Sequence, residues 1–131
     1  MIDEKYKYSD ITSKVIGCAQ EVHKILGNGF PEVIYQRALS KEMVLRGVPH
    51  QREFEMPIFY KDEQIGTRRV DFLVENVVSV EIKANSGLND TNLAQAINYL
   101  EAYNLEIGLL INFGTKSLEV KRIINSKYLK R

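Results

Sequence analysis

Between Glu106 and Phe113 the chain is dominated by Ile, Leu and Gly. The run is far shorter than the roughly 18 apolar residues that would span a membrane. Its unbroken apolar character marks a strand buried on both faces. Such a strand needs a sheet around it and cover above and below, and the remaining sequence supplies both. Ile11, Val15, Cys18, Ala19, Val22, Ile25 and Leu26 fall at three- and four-residue steps, the pattern of an amphipathic helix. Ser9 and Asp10 are placed to cap it, and Gly27-Asn28-Gly29 ends it. A second helix starts near Pro31, a favoured first-turn residue. Its stripe is Ile34, Tyr35, Ala38, Leu39 and Met43, and Gly47 stops it.

The period then changes. Glu53 to Tyr60 is rich in Phe, Ile and Tyr, and Pro57 within it points to an edge strand or a bulge. Lys61-Asp62-Glu63 reads as a turn, Ile65 to Val74 as a second strand, Glu75-Asn76 as a tight turn and Val77 to Ala84 as a third strand. After a loop, Asp90 or Thr91 caps a helix whose face is Leu93, Ala96, Ile97, Leu100 and Tyr103. The apolar strand follows, and Leu118 to Ile124 reads as a last strand. The predicted order is α, α, β, β, β, α, β, β, an α/β (α+β) chain with a mixed sheet flanked by helices. The helical crossover to the strand at 106–113 should be right-handed.

With 131 residues, 44% of them hydrophobic, the composition suits one domain spanning 1–131. The single cysteine, Cys18, excludes an intramolecular disulfide and a cysteine-based zinc site. It sits at helical spacing among apolar residues and reads as core. No segment is long and apolar enough to cross a membrane, and the polar N-terminus does not resemble a signal peptide. The expected location is cytoplasmic. The 18 basic and 17 acidic side chains give a net charge of +1. Their distribution is uneven: Lys116, Lys121, Arg122, Lys127, Lys130 and Arg131 face Glu119 alone. That stretch is either a solvated terminus or a phosphate-contacting edge.

Val80-Glu81-Ile82-Lys83 sets a carboxylate and an amine on one side of a strand whose other side is apolar. Charged residues are seldom buried unless paired or bound to metal. Asp71 lies ten residues earlier, and the turn at 75–76 places it roughly opposite Glu81. Cross-strand neighbours stand about 4.5–5.5 Å apart at Cβ. Two carboxylates that close repel each other, and a hard divalent cation between them relieves the repulsion. Lys83 beside them can orient or deprotonate a water, or stabilise charge developing on phosphorus.

Asp71, nine residues and Glu81-x-Lys83 resemble the signature of the PD-(D/E)XK nuclease superfamily, with Val70 where a proline usually stands. The predicted order contains that superfamily's restriction-endonuclease-like αβββαβ core behind an extra N-terminal helix. Gly29, Glu32 and Tyr35 resemble the GxxExxY family within it. So do Arg46-Gly47, Pro57-Ile58-x-Tyr60, Asp71-Phe72-Leu73-Val74, Ala94-Gln95-x-x-Asn98-Tyr99-Leu100, Asn112-Phe113-Gly114 and Lys121-Arg122. The likeness runs from about residue 11 to 125.

The resemblance implies a nuclease hydrolysing phosphodiester bonds in DNA or RNA with Mg²⁺ or Mn²⁺. It makes Glu32, Asp71, Glu81 and the Ile82 carbonyl the metal ligands, and gives Lys83 the attacking water. Gln95 and Tyr99, four apart on one helix face, resemble the Gln-x-x-x-Tyr motif of RecB-type nucleases and would orient the strand or the lysine. Asn92 stands where the family often has histidine. His23 matches the family pattern, yet near a helix C-terminus it also reads as structural. Of Arg68 and Arg69, one is expected at a phosphate and the other in solvent. Glu32 also fits as a first-turn glutamate complementing its helix dipole. The alternative function is a catalytically inactive module on the same fold, binding nucleic acid or a protein partner. So small a chain covers a duplex poorly, which points to a homodimer.

Overall fold

A computed structural model describes residues 7–128, so Lys130 and Arg131 of the basic C-terminal stretch lie outside the described residues. The elements are α1 (Ser9–Leu26), α2 (Glu32–Leu45), β1 (His50–Tyr60), β2 (Glu63–Val74), β3 (Val78–Lys83), α3 (Asp90–Tyr103), β4 (Ile107–Asn112) and β5 (Glu119–Ile124). The sheet runs β1-β2-β3-β4-β5. Only the β3–β4 pair, which α3 connects, is parallel. The expected mixed α+β sheet flanked by helices is therefore present.

β4 is buried along its whole length. Ile107, Leu109 and Ile111 join Val15, Leu39, Phe72, Val80 and Ile82 in the core beneath α1 and α2. Leu110 faces the other way and packs with Ala96, Leu100 and Ile123 beneath α3. Cys18 is fully buried in the first of these cores.

Several local expectations shift by a residue or two. Ser9 opens α1 itself, and Tyr8 occupies the cap position at φ 61° without a side-chain cap. Ser9 and Asp10 are thus first-turn residues rather than caps. Ile25 leaves the stripe and is 69% exposed at the helix end. Pro31 caps α2 from an extended conformation instead of occupying its first turn. Lys61-Asp62 and Glu75-Asn76 all have positive φ. The first pair forms a two-residue hairpin turn closed by Tyr60 and Glu63, so β2 starts at Glu63, earlier than expected. The β2–β3 connection instead has three residues, 75–77, closed by Val74 and Val78. β1 is an edge strand, as Pro57 foretold, with a register irregularity at Ile58/Phe59.

α3 is capped by Asn89 rather than by Asp90 or Thr91. Its side chain accepts the Asn92 N–H at 2.8 Å, and the Asn92 side chain accepts the Asn89 N–H at 3.3 Å. This reciprocal box satisfies two backbone donors that the helix cannot.

Candidate metal-binding site

Strand alternation builds the site. Val80 and Ile82 point into the core under α1 and α2, so Glu81 projects to the opposite face. Antiparallel register joins Phe72 to Val80, which leaves Asp71 and Glu81 in line just past the last paired residues. There the Asp71 carboxylate enters the gap between the strands. Its Oδ2 accepts the Ile82 N–H at 2.7 Å, and its Oδ1 accepts the Gln36 side-chain N–H at 2.8 Å. One strand residue turns its N–H and C=O toward the same neighbour, so the Ile82 carbonyl faces Asp71 as well.

Burial, together with the neighbouring Asp71 charge, pushes the Glu81 carboxyl up to about 8, while Lys83 and Arg68 act in the opposite direction. Glu81 Oε1 is buried with no hydrogen-bond partner. Glu32 comes from the first turn of α2. Its carboxyl is held above the usual carboxylate range by desolvation and then by Asp71, with Lys83 opposing. Glu32 is nonetheless solvent-exposed, so it borders the acid pair rather than being buried with it. The Lys83 amine acts on both glutamates.

Tyr35, three residues past Glu32, fixes the loop that delivers it. Its hydroxyl donates to Gly27 O at 2.5 Å and accepts the Phe30 N–H at 3.1 Å. Its ring stacks on Phe113 at 4.7 Å. Gln36, the hydrogen-bonding partner of Asp71, escaped the sequence reading. The available signal was its position four residues after Glu32, on the same helix face.

On the other side of the sheet, α3 presents Tyr99, which is buried, with a hydroxyl lacking a hydrogen-bond partner. Gln95 sits one turn earlier and is exposed. The two arginines have different surroundings. Arg68 lies over the Tyr99 ring at 4.1 Å, and Arg69 pairs with Glu53 at 3.0 Å away from the acids. Among the described residues, the basic C-terminal stretch forms no single edge. Arg122 folds back onto Thr12 and the Lys7 carbonyl, Lys127 stands 3.7 Å from Glu101, and Lys116 and Lys121 face solvent. His23 is structural, bonded through Nε2 to Thr115 O at 2.9 Å.

The loop after Lys83 is held from β4. The fully buried Asn112 accepts from Asn85 N at 2.9 Å and Gly114 N at 3.1 Å, and donates to Asn85 O at 3.1 Å and Glu119 Oε1 at 2.9 Å. Glu119 Oε1 also accepts the Leu88 N–H at 3.1 Å, and Phe113 N donates to Lys83 O at 2.8 Å. The sequence marked Asn112-Phe113-Gly114 as a family match without a role. Its role is to fix the backbone carrying Lys83.

Among the described residues, no three His, Cys, Asp or Glu side chains form a ready-made metal cluster. The fit of a cation rests on a smaller set. A buried carboxyl oxygen without a partner beside a second carboxylate suits an ion that uses one or two carboxylates plus water and phosphate. Asp71 keeps capacity for it, because each carboxylate oxygen accepts more than one bond.

The raised Glu81 carboxyl has a thermodynamic consequence. With its folded value near 8 against an ordinary 4.5, the folded protein keeps a proton that the unfolded chain releases between those values. Its contribution to stability is therefore full below pH 4.5 and is lost as pH rises toward 8. By pH 7 the loss is roughly 3 kcal/mol. Metal-free Glu81→Gln should match wild type near pH 4 and melt several degrees higher near pH 8. Coincident melting curves at both pH values would show that Glu81 carries no such proton.

A five-stranded mixed sheet with helices on both faces and an Asp…Glu-x-Lys set at its β2–β3 gap defines a restriction-endonuclease-like fold. The family model described as PD-(D/E)XK nuclease superfamily matches residues 9–123. The chain belongs to that superfamily. Among solved structures, the one described as "Crystal structure of SSO0001" superposes with a TM-score of 0.55 at 18% identity. That likeness concerns the fold, and it covers 92% of this chain but only 61% of the other. No curated protein sequence matches.

Proposed function

We propose that the protein is a divalent-metal-dependent nuclease of the GxxExxY type, a single domain over residues 1–131 that hydrolyses phosphodiester bonds in DNA or RNA. The observation that carries this reading is the Asp71–Glu81 pair, with its buried, unpartnered Glu81 oxygen and Lys83 two residues on. Superfamily membership supports it. Asp71, Glu81 and the Ile82 carbonyl would hold one Mg²⁺ or Mn²⁺, with Glu32 approaching from α2. The ion, when bound, would polarise the phosphate and make its water more acidic.

The side chains do the rest. Gln36 and the Ile82 N–H hold the Asp71 carboxylate in place. Ion binding requires Glu81 to give up its proton, so affinity rises with pH. Lys83 positions the attacking water and stabilises charge developing on phosphorus. Tyr99 and Gln95 line the α3 side and orient strand or lysine. The water oxygen bonds to phosphorus, a bridging P–O bond breaks, and the departing oxygen leaves protonated. One water is consumed, and nothing is oxidised or reduced.

Among the described residues no helix is long and apolar enough to cross a membrane. The buried lone cysteine agrees with a cytoplasmic setting. Ile25, Val44 and Leu45 are exposed on α1 and α2, a surface suited to a homodimer. A second reading, an inactive nuclease-fold module binding nucleic acid or a protein, is favoured by one observation. Both Asp71 oxygens already bond protein donors. Mn²⁺-supplemented cleavage of single- and double-stranded DNA and RNA oligonucleotides separates the two. Activity in wild type that is absent from Asp71→Asn supports the nuclease, and equal activity in the two refutes it.

A further inference from the structure

Arg68 is the one site cation whose position the metal chemistry leaves unexplained. It is exposed and makes no ion pair among the described residues, whereas its neighbour Arg69 is engaged by Glu53 at 3.0 Å. Its guanidinium lies 4.1 Å over the face of Tyr99. Stacking of this kind attracts the cation to the ring while leaving its edge N–H donors free. Tyr99 is a firm platform, being 9% exposed on a helix packed against the sheet. The Tyr103 hydroxyl of the same helix lies against the backbone here, its one proton shared between Met56 O at 3.2 Å and Arg68 O at 3.4 Å. The stacking on Tyr99 is what orients the guanidinium. It stands three residues before Asp71 on β2, close enough for its charge to act on Glu81 and Tyr103.

A preorganised guanidinium with free donors at the rim of an acid pair matches one ligand chemistry, the tetrahedral oxyanion of a phosphodiester. Such forks bind phosphate oxygens in bidentate fashion. The acids repel a polyanion, and a cation held next to them offsets that repulsion at the point of approach.

We infer that Arg68 is a phosphate-binding residue that grips the nucleic-acid backbone beside the bond to be cut. The inference rests on the nuclease reading for its substrate, and it predicts a sequence-independent contact, because phosphates carry no base identity.

The test is the affinity of the full-length protein for fluorescent single- and double-stranded oligonucleotides across a salt series. Ca²⁺ replaces Mn²⁺, so that binding is read without turnover. Arg68→Ala should weaken binding roughly tenfold and flatten the log–log salt slope by about 0.7–0.9, the value of one lost phosphate contact. Arg68→Lys should keep most of the slope but lose affinity, since an ammonium is a point charge rather than a fork. Arg69→Ala should leave both unchanged. Overturning results are an unaltered affinity and slope in Arg68→Ala, an equal loss in Arg69→Ala, or a wild type that binds no oligonucleotide. Binding that depends on Arg68 in a protein that never cleaves would sink the nuclease reading and keep this one. Cleavage with an unchanged kcat/KM in Arg68→Ala would do the reverse.

Discussion

Lys83→Ala should reduce the rate of Mn²⁺-dependent cleavage by roughly 10²–10³-fold, the usual cost of removing one preorganised group that stabilises transition-state charge. Lys83 forms no ion pair among the described residues, and it ends β3 half-buried rather than in the core. Truncation therefore strands no partner and opens no apolar cavity, so folding should survive. The proposed ligand atoms of Asp71, Glu81 and Ile82 also remain, so Mn²⁺ should still bind. The loss should fall on kcat, because an interaction made mainly in the transition state lowers kcat and kcat/KM together. Single-turnover cleavage alongside Mn²⁺ titration reads both quantities. An unchanged rate would remove Lys83 from the chemistry, and lost metal binding would recast it as a structural group.

Gly114→Ala should be the most destabilising small substitution near the site. A β-carbon there would stand 2.3 Å from the Asn85 carbonyl oxygen and 2.5 Å from both Ala84 C and Asn85 N. All three are backbone atoms and cannot swing aside as a side-chain tip can. The end of β4 must instead retreat from the loop after Lys83. Retreat strains the bonds from Gly114 N to Asn112 Oδ1 and from Phe113 N to Lys83 O. Overpacking of this kind costs about 3 kcal/mol, which for a chain of this size lowers the melting temperature by roughly 10 °C. Thermal unfolding followed by circular dichroism measures it. A melting temperature within a degree or two of wild type would show that the loop yields freely and that Asn112 does not hold it.

The elements were legible because period and punctuation agreed along the chain. The apolar run at 106–113 demanded cover on both faces, and β4 has it. Pro57 marked an edge strand, and β1 lies at the edge. A short turn at 75–76 brings Asp71 only roughly opposite Glu81: a two-residue turn would align Asp71 with Val80, and the third connecting residue, Val77, sets the Val74–Val78 register that aligns Asp71 with Glu81. Interactions decided by side-chain reach were not legible. Gln36 approaches Asp71 across 35 positions of sequence, and helix periodicity puts it on the Glu32 face without saying which strand residue it reaches. The stacking of Arg68 on Tyr99 depends on how α3 crosses β2, a matter of packing rather than pattern. Asn112 was a motif without a mechanism until its four bonds placed it under the Lys83 loop. Cap positions moved for a similar reason. Asn89, Asp90 and Thr91 are all competent caps, and the reciprocal bond with Asn92 selects the first.

Asn92 gains a purpose from this. It caps α3 in the reciprocal box with Asn89 and also accepts from the Asn85 side chain at 3.4 Å. It serves the loop between Lys83 and α3 rather than the acids.

The central claim is that Asp71 and Glu81 form a cation site, and calorimetric titration of Mn²⁺ into the full-length protein at pH 8, with Asp71→Ala as the control, tests it most directly. No guess about substrate is needed. Binding near one equivalent is expected in wild type, with proton release as Glu81 ionises, and no binding in the variant. Heat that is the same in both proteins, or absent from both, would contradict it.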